Sequence, residues 1–386
     1  MNTYNTKVQK NYFFYSIVGI IAVSLKSSIQ TWYGLNISNI FLFIGLLLIN
    51  IISFRIYLEK SNLFKTKLIK IFFLLIPIEL IIIIYQPDQY SFRQIIFRLI
   101  CYNLCFCGAL HAAILSQKFN FFNKISIFLI IFLLCALYII KVDYQNLSNR
   151  YVFNNLEMTA VGISYSYGII SSSLLVIFYY EKDLKIKIIS LAIFLLPFYI
   201  CLLTGTRGYF LSILFVFLLI IFQHLNKKNL FILFLIFIIL YIFFNKNSQI
   251  FDNIIFRFTA TNTHSDQSVL DRIYILNFYL ENWIELLPFG FKKYDGIYVH
   301  NLFLDLFIRF GIYGLFICYL ILKSFINIIL SKKIIIKEFF DYFVLGLVLY
   351  SFFHSQVSLT SEFLRFFWFG IFYFTFKLNL KLENKI

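Results

Sequence analysis

Apolar runs follow one another along almost the whole chain, parted by short polar stretches, and this spacing constrains the fold more than any other feature. Twelve such segments can be read, at about 12–25, 37–54, 69–86, 94–116, 125–140, 159–180, 187–204, 208–222, 229–244, 301–322, 339–355 and 363–377. A bilayer core is crossed by roughly 20 apolar residues in helical form. No water reaches backbone groups there, so a crossing segment must satisfy its own hydrogen bonds. The 386 residues are 61% hydrophobic and 13% charged, against about one quarter charged in a soluble domain. The pattern predicts an all-α, polytopic integral membrane protein with about 12 transmembrane helices, built as a single membrane domain over residues 1–386. It excludes a soluble enzyme, a secreted disulfide scaffold, a coiled coil and a disordered chain. The first apolar run lacks a cleavage-type end, so no removable signal peptide is expected.

A net charge of +16 would suit a nucleic-acid binder only if Lys and Arg shared one surface of a soluble fold. Here they sit between apolar runs, where they set orientation. With the N-terminus in the cytoplasm, 21 of the 34 basic residues fall on the inner side and 10 on the outer. Both termini are therefore expected inside, and no nucleic-acid partner is expected. The six cysteines, Cys101, Cys105, Cys107, Cys135, Cys201 and Cys318, all lie in apolar runs and read as small buried hydrophobes. Neither a disulfide nor a metal site follows from their spacing.

Two outer loops have substance, residues 141–158 and the larger 245–300, which lies between the ninth and tenth apolar segments. A loop of the second length is more often functional than connective. Within it Ser268-Val-Leu-Asp271 resembles a capping box. Leu270, Ile273, Leu276, Leu280, Ile284 and Leu287 follow at helical spacing, ahead of Pro288 and Gly290. The expectation is an amphipathic helix over about 268–287, lying on the outer membrane surface or packed on the spans.

Signatures for metalloproteases, nucleotide-binding loops, dinucleotide folds and serine hydrolases are all missing from the sequence. No metal and no cofactor are expected. What remains is cationic and faces outward. Thr204-Gly-Thr-Arg207-Gly208 forms a tight turn between two apolar runs. Arg272 opens the loop helix, Val299-His300-Asn301 closes the loop, and Arg150 and Arg257 lie on the same side. Plainer roles exist for each. Arg207 would serve as a snorkelling interfacial anchor, Arg272 as an ion-pair partner of Asp271 or Glu281, and His300 as a hydrogen-bonded residue at a span end. Arg309 and Arg365 lie within spans and need internal partners, with Glu362 a candidate for Arg365.

His300-Asn301, nine residues, then Gly311-Ile-Tyr-Gly314 resembles the signature of the O-antigen ligase and polymerase superfamily of bacterial membrane glycosyltransferases. The Thr-Gly-Thr-Arg-Gly turn resembles that family's Ser/Thr-Gly-Ser/Thr-Arg turn. Arg272, in an Arg-x-x-x-Leu frame ending at Leu276, resembles its loop arginine. The likeness covers roughly residues 187–330. It implies transfer of a glycan from undecaprenyl diphosphate on the periplasmic side of the inner membrane, with a large periplasmic loop.

Residue chemistry agrees with that implication. A polyprenyl diphosphate is already activated, and guanidinium forks make bidentate, permanently charged contacts to phosphate oxygens. A sugar hydroxyl must lose its proton as it attacks, and the unperturbed histidine pKa suits a base near neutral pH. Arg207 and Arg272 are thus assigned to the diphosphate and His300 to the acceptor hydroxyl. Asn301 would orient His300, Gly208 would shape the arginine turn, and Gly311 and Gly314 would allow the tenth span to pack closely on a neighbour. If His300 is not the base, Asp295 and Glu285 are the nearest candidates.

The superfamily holds polymerases, which pass a growing chain to the next lipid-linked repeat, and ligases, which pass the finished chain to lipid A-core. The Pro-Phe-Gly-Phe…Tyr-Val-His-Asn-Leu-Phe-Leu run resembles polymerases more closely. The expected partners are an undecaprenyl-diphosphate-linked oligosaccharide and membrane lipids, with a flippase and a chain-length regulator from the same pathway. A lipid-linked oligosaccharide exporter is the rival from another class. It would place charge around a midplane cavity between symmetric halves, whereas the polar residues here gather at one face.

Overall fold

The computed structural model describes residues 121–141, 144–145, 150–151, 160–204, 206–222, 267–287, 290, 301–356 and 365–383, with isolated helical positions at 37–47 and 109–113. The rest of the chain, including the expected spans at 12–25, 69–86 and 229–244, lies outside the described residues. Helix α1 runs Phe121–Lys141, and a two-residue antiparallel ladder of β1 (Tyr144–Gln145) with β2 (Arg150–Tyr151) follows it. Then come α2 (Ala160–Tyr180), α3 (Leu184–Thr204), α4 (Arg207–Phe222), α5 (Gln267–Glu281), α6 (Leu302–Phe310), α7 (Ile312–Ile335), α8 (Phe339–Ser355) and α9 (Arg365–Glu383). Apart from the small ladder the described chain is helical, and α1–α4, α8 and α9 follow the expected apolar runs.

Among the described residues, three helices are long and apolar enough to cross a membrane: α2 from Ile163, α3, and α7 as far as Leu330. Shorter apolar helices span Lys124–Ile139, Arg207–Ile221, Phe339–Ser355 and Phe366–Leu378. The outer helices leave Leu129, Phe132, Leu133 and Leu137 of α1, and Leu214 and Phe215 of α4, exposed. Lipid tails cover such a surface at no cost, whereas water would not.

The interior is organised around α2 and α8. Small residues let them approach closely, as bundles in lipid require. A Cβ at Gly346 would collide with the Ser172 and Ser173 backbone, and one at Gly168 with the Tyr350 ring. The close approach brings polar groups into bonding range. Ser172 Oγ donates to the Gly346 carbonyl at 2.8 Å and Ser173 Oγ to that of Phe343 at 2.9 Å. Further along, Tyr350 OH donates to the Ser164 carbonyl at 3.1 Å. Residue numbers rise along α2 as they fall along α8, so the pair is antiparallel.

Ion pairs brace one end of this bundle. Lys124 meets Glu181 at 3.0 Å and lies over the Phe339 ring. Asp341 accepts from the Lys337 and Glu338 backbone N–H groups at 2.8 Å, opening α8. Its other oxygen takes Tyr373 OH and the Lys377 ammonium from α9. Asp341 and Lys377 are both buried, so each charge depends on the other.

Candidate functional site

The opposite end of the bundle carries the arginine turn. Cys201, Thr204 and Thr206 are buried where α3 stops. Thr204 Oγ1 donates to the Cys201 carbonyl at 2.7 Å and lies 3.4 Å from Thr206 Oγ1. The Tyr209 N–H then bonds the Thr206 carbonyl at 3.2 Å, starting α4 with Arg207 in its first turn. Arg207 is half-buried and Gly208 is buried. Unpaired N–H groups and the macrodipole make such a helix start favourable for an anion, and a guanidinium here adds to that field. Ser212, one turn on, donates to the Gly208 carbonyl at 2.6 Å and fixes the turn from within.

Asn301 shapes a second element. Its side-chain oxygen accepts from the Phe303 and Leu304 N–H groups, both at 3.0 Å, and so caps α6. Its amide nitrogen donates to the Gln356 carbonyl at 3.1 Å, just past the end of α8. Residue 300 is therefore attached directly to a clamped helix start, although His300 itself lies outside the described residues.

The expected span over about 301–322 is broken in two. Gly311 has φ 58° and ψ −131°, a conformation essentially confined to glycine. The chain turns there, and α6 folds back onto α7. A Cβ at Gly314 would strike the Leu306 backbone, and Cys318 Sγ reaches the Phe303 carbonyl at 3.7 Å. The neighbour on which these glycines allow close packing is thus α6 itself. In Gly-x-x-Gly the first glycine makes the reversal and the second gives the returning helix room. The membrane-length apolar stretch is Ile312–Leu330.

The loop helix differs from its expected form at both ends. α5 includes Ser268 within its first turn, so Ser268 is not the residue before the helix as a capping box would require. It stops at Glu281, where Asn282 turns its amide onto the Phe278 carbonyl at 2.8 Å, and a 3-10 turn follows over Trp283–Leu286. Its apolar stripe is not the face that it packs on the bundle. Leu270, Ile273, Leu276, Leu280, Ile284 and Leu287 remain exposed, whereas Ile275 and Tyr279 are buried against Ile308, beside Leu304 and Phe307 of α6. Tertiary contact with α6 selects the narrow face, and the broad apolar stripe is left facing outward. Arg272 lies in α5, whose Ile275–Tyr279 face rests on the helix that Asn301 caps.

The arginine turn, the α6 cap and the Arg272 helix are therefore linked through two intermediaries, α6 and the end of α8. His354 lies in the last turn of α8 and is fully buried. Its Nδ1 is 3.4 Å from Ser212 Oγ of α4 and 3.2 Å from Tyr350 OH. Two residues on, Gln356 takes the bond from Asn301. None of His354, Ser212 and Gln356 was singled out by motif. A histidine inside an apolar run was the available signal, because an ionisable group at membrane depth needs a reason to be there.

The remaining candidates are less informative. The Arg150 backbone lies in β2, paired with Gln145, and β2 touches α3. Glu285 falls in the 3-10 turn. Arg257, Asp295 and Glu362 lie outside the described residues. Among the described residues no three His, Cys, Asp or Glu side chains gather as a metal site. Cys135, Cys201 and Cys318 are buried free thiols, as apolar placement predicts.

Residues 192–292 match the family model for O-antigen ligase. The match supports the resemblance to the O-antigen ligase and polymerase superfamily. The matched segment runs from α3 through the arginine turn, α4 and α5, and so contains Arg207 and Arg272. No curated protein and no solved structure matches the chain. Together with the membrane-length apolar helices, the match supports a multi-pass membrane protein similar to the ligases and polymerases of that superfamily.

Proposed function

We propose that this protein is an O-antigen or related polysaccharide polymerase, passing a glycan chain from undecaprenyl diphosphate onto the next lipid-linked repeat unit. The reaction takes place at the periplasmic face of a bacterial inner membrane that the chain crosses about 12 times, with both termini in the cytoplasm. The observation that carries this reading is the junction at the end of α8, where the Arg207 turn and the Asn301 cap meet within a few residues. Two motifs almost a hundred residues apart in sequence serve one site only if the fold brings them together. The orientation is supported by Lys124, Lys337 and Lys377, which belong to the opposite end of the bundle.

In the proposed step, the acceptor hydroxyl oxygen forms a bond to the anomeric carbon as that carbon's bond to the diphosphate oxygen breaks. His300 takes the hydroxyl proton. The diphosphate leaves with the bonding electrons, and its charge is met by Arg207 and Arg272, with the start of α4 adding to the field. No metal or nucleotide enters this scheme. Arg257 and Arg150 add positive potential on the same side. A flippase supplying lipid-linked units and a chain-length regulator would act beside it.

The matched family's description, O-antigen ligase, favours a second reading, in which lipid A-core is the acceptor. Deleting the gene separates the two. Loss of a polymerase leaves single repeat units on the core, whereas loss of a ligase leaves the core uncapped. An unchanged glycan profile would refute both.

A further inference from the structure

We propose that His354 is a positioning residue, fixed with its proton on Nδ1, that locks the end of α8 to the first turn of α4 and so sets where Arg207 stands. The proposal rests on the reading of Arg207 as a ligand of the donor diphosphate.

The proton assignment follows from counting hydroxyl hydrogens. Two hydroxyls face His354 Nδ1, from Ser212 at 3.4 Å and Tyr350 at 3.2 Å. Each has one hydrogen to give. Ser212 gives its hydrogen to the Gly208 carbonyl at 2.6 Å, and Tyr350 gives its to the Ser164 carbonyl at 3.1 Å. A carbonyl can only accept, so both hydroxyls turn lone pairs toward the ring. Only an Nδ1 that carries hydrogen can bond to them. Nε2 is buried and has no hydrogen-bond partner among the described residues, and a bare nitrogen suits such a place better than an unpaired N–H.

The ring is held tightly in that orientation. Tyr350 stacks on it at 5.1 Å between ring centroids, and Tyr165 of α2 lies at 5.5 Å. Gly168 leaves the space that the Tyr350 ring occupies. The Tyr165 hydroxyl bonds Ser351 Oγ at 3.2 Å, which braces α2 against the same stretch of α8. His354 thus joins three helices. It reaches the arginine turn through Ser212, whose hydrogen is spent on the carbonyl next to Arg207, and it lies two residues from Gln356, to which Asn301 is tied. A side chain that needs Nδ1–H and no Nε2–H has a specific mimic. Asparagine places an N–H near the Nδ1 position, and glutamine places its polar end near Nε2.

The test uses purified full-length protein and undecaprenyl diphosphate as the binding probe, with His354→Asn, His354→Gln, His354→Ala and Arg207→Ala compared at equal membrane accumulation. Arg207→Ala should lose binding. His354→Gln and His354→Ala should weaken it roughly tenfold, the equivalent of one or two hydrogen bonds, and His354→Asn should stay within about twofold of the original chain. If Arg207→Ala binds normally, the diphosphate reading fails. If Arg207→Ala loses binding while His354→Gln and His354→Ala bind normally, the reading stands and this proposal alone falls. Asparagine as damaging as alanine also overturns it. The nitrogen-15 spectrum of His354 in the unsubstituted protein needs no variant to fold: a protonated Nδ1 supports the assignment, and a bare Nδ1 refutes it.

Discussion

Gly346→Ala measures how much the approach of α2 to α8 matters. A Cβ there would stand 2.6 Å from Ser172 O and Ser173 N, where ordinary contact begins near 3.4 Å. These atoms, and the Ser173 Cα that stands closer still, are all backbone, so no rotamer relieves them, and the helices must part by about 1 Å. That movement would stretch the Ser172 and Ser173 bonds from 2.8 and 2.9 Å to about 3.8 and 3.9 Å, beyond useful hydrogen bonding. Interhelical bonds in lipid average about 0.6 kcal/mol each, and overpacking costs roughly 1–3 kcal/mol. Against these stands the better helix propensity of alanine, worth up to about 1 kcal/mol. The net loss is about 1–3 kcal/mol. Gly370→Ala is the internal control, because its Cβ would meet the Val348 side chain, which can rotate. Thermal unfolding of purified protein in detergent, followed by size-exclusion fluorescence, should give a clearly lower midpoint for Gly346→Ala than for Gly370→Ala. A Gly346→Ala midpoint equal to or above that of the unsubstituted protein would refute the packing argument.

Four further outcomes are expected. Arg207→Lys should lose most long-chain glycan in a complemented deletion strain, since a point charge cannot reproduce a bidentate fork; a normal ladder on gels would remove Arg207 from the diphosphate. His300→Ala should insert normally and yield no product, and retained activity would move the base to Asp295 or Glu285. Asp341→Ala should destabilise by about 3–5 kcal/mol because it strands the buried Lys377 ammonium, with part of the loss recovered in the Asp341→Ala, Lys377→Met double variant on thermal unfolding. Gly311→Ala should cost about 1–3 kcal/mol, because φ 58° with ψ −131° excludes a Cβ; an unshifted midpoint would mean the reversal between α6 and α7 is not strained.

The limits of sequence reading in this chain have a common physical origin. Where a helix faces lipid or the bundle interior along its whole length, hydropathy alone determines its bounds, and α1–α4, α8 and α9 were legible for that reason. Hydropathy could not divide residues 301–322, because α6 and α7 are equally apolar on both sides of Gly311. The break depends on one backbone conformation, and a glycine followed three residues later by another also describes an uninterrupted packing face. The packed face of α5 was not legible for a related reason. Periodicity ranks apolar stripes by size, but Ile275 and Tyr279 are buried because Ile308 happens to face them. Motif spacing located Arg207 and Asn301 without explaining how they meet. Their connection runs through Ser212, His354 and Gln356, which belong to no short pattern because they lie on two helices more than 140 residues apart. Residues that contact substrate are constrained by chemistry and recur as local patterns. Residues that hold those groups in place are constrained by the packed fold, so they become visible only once α2, α4 and α8 are seen together.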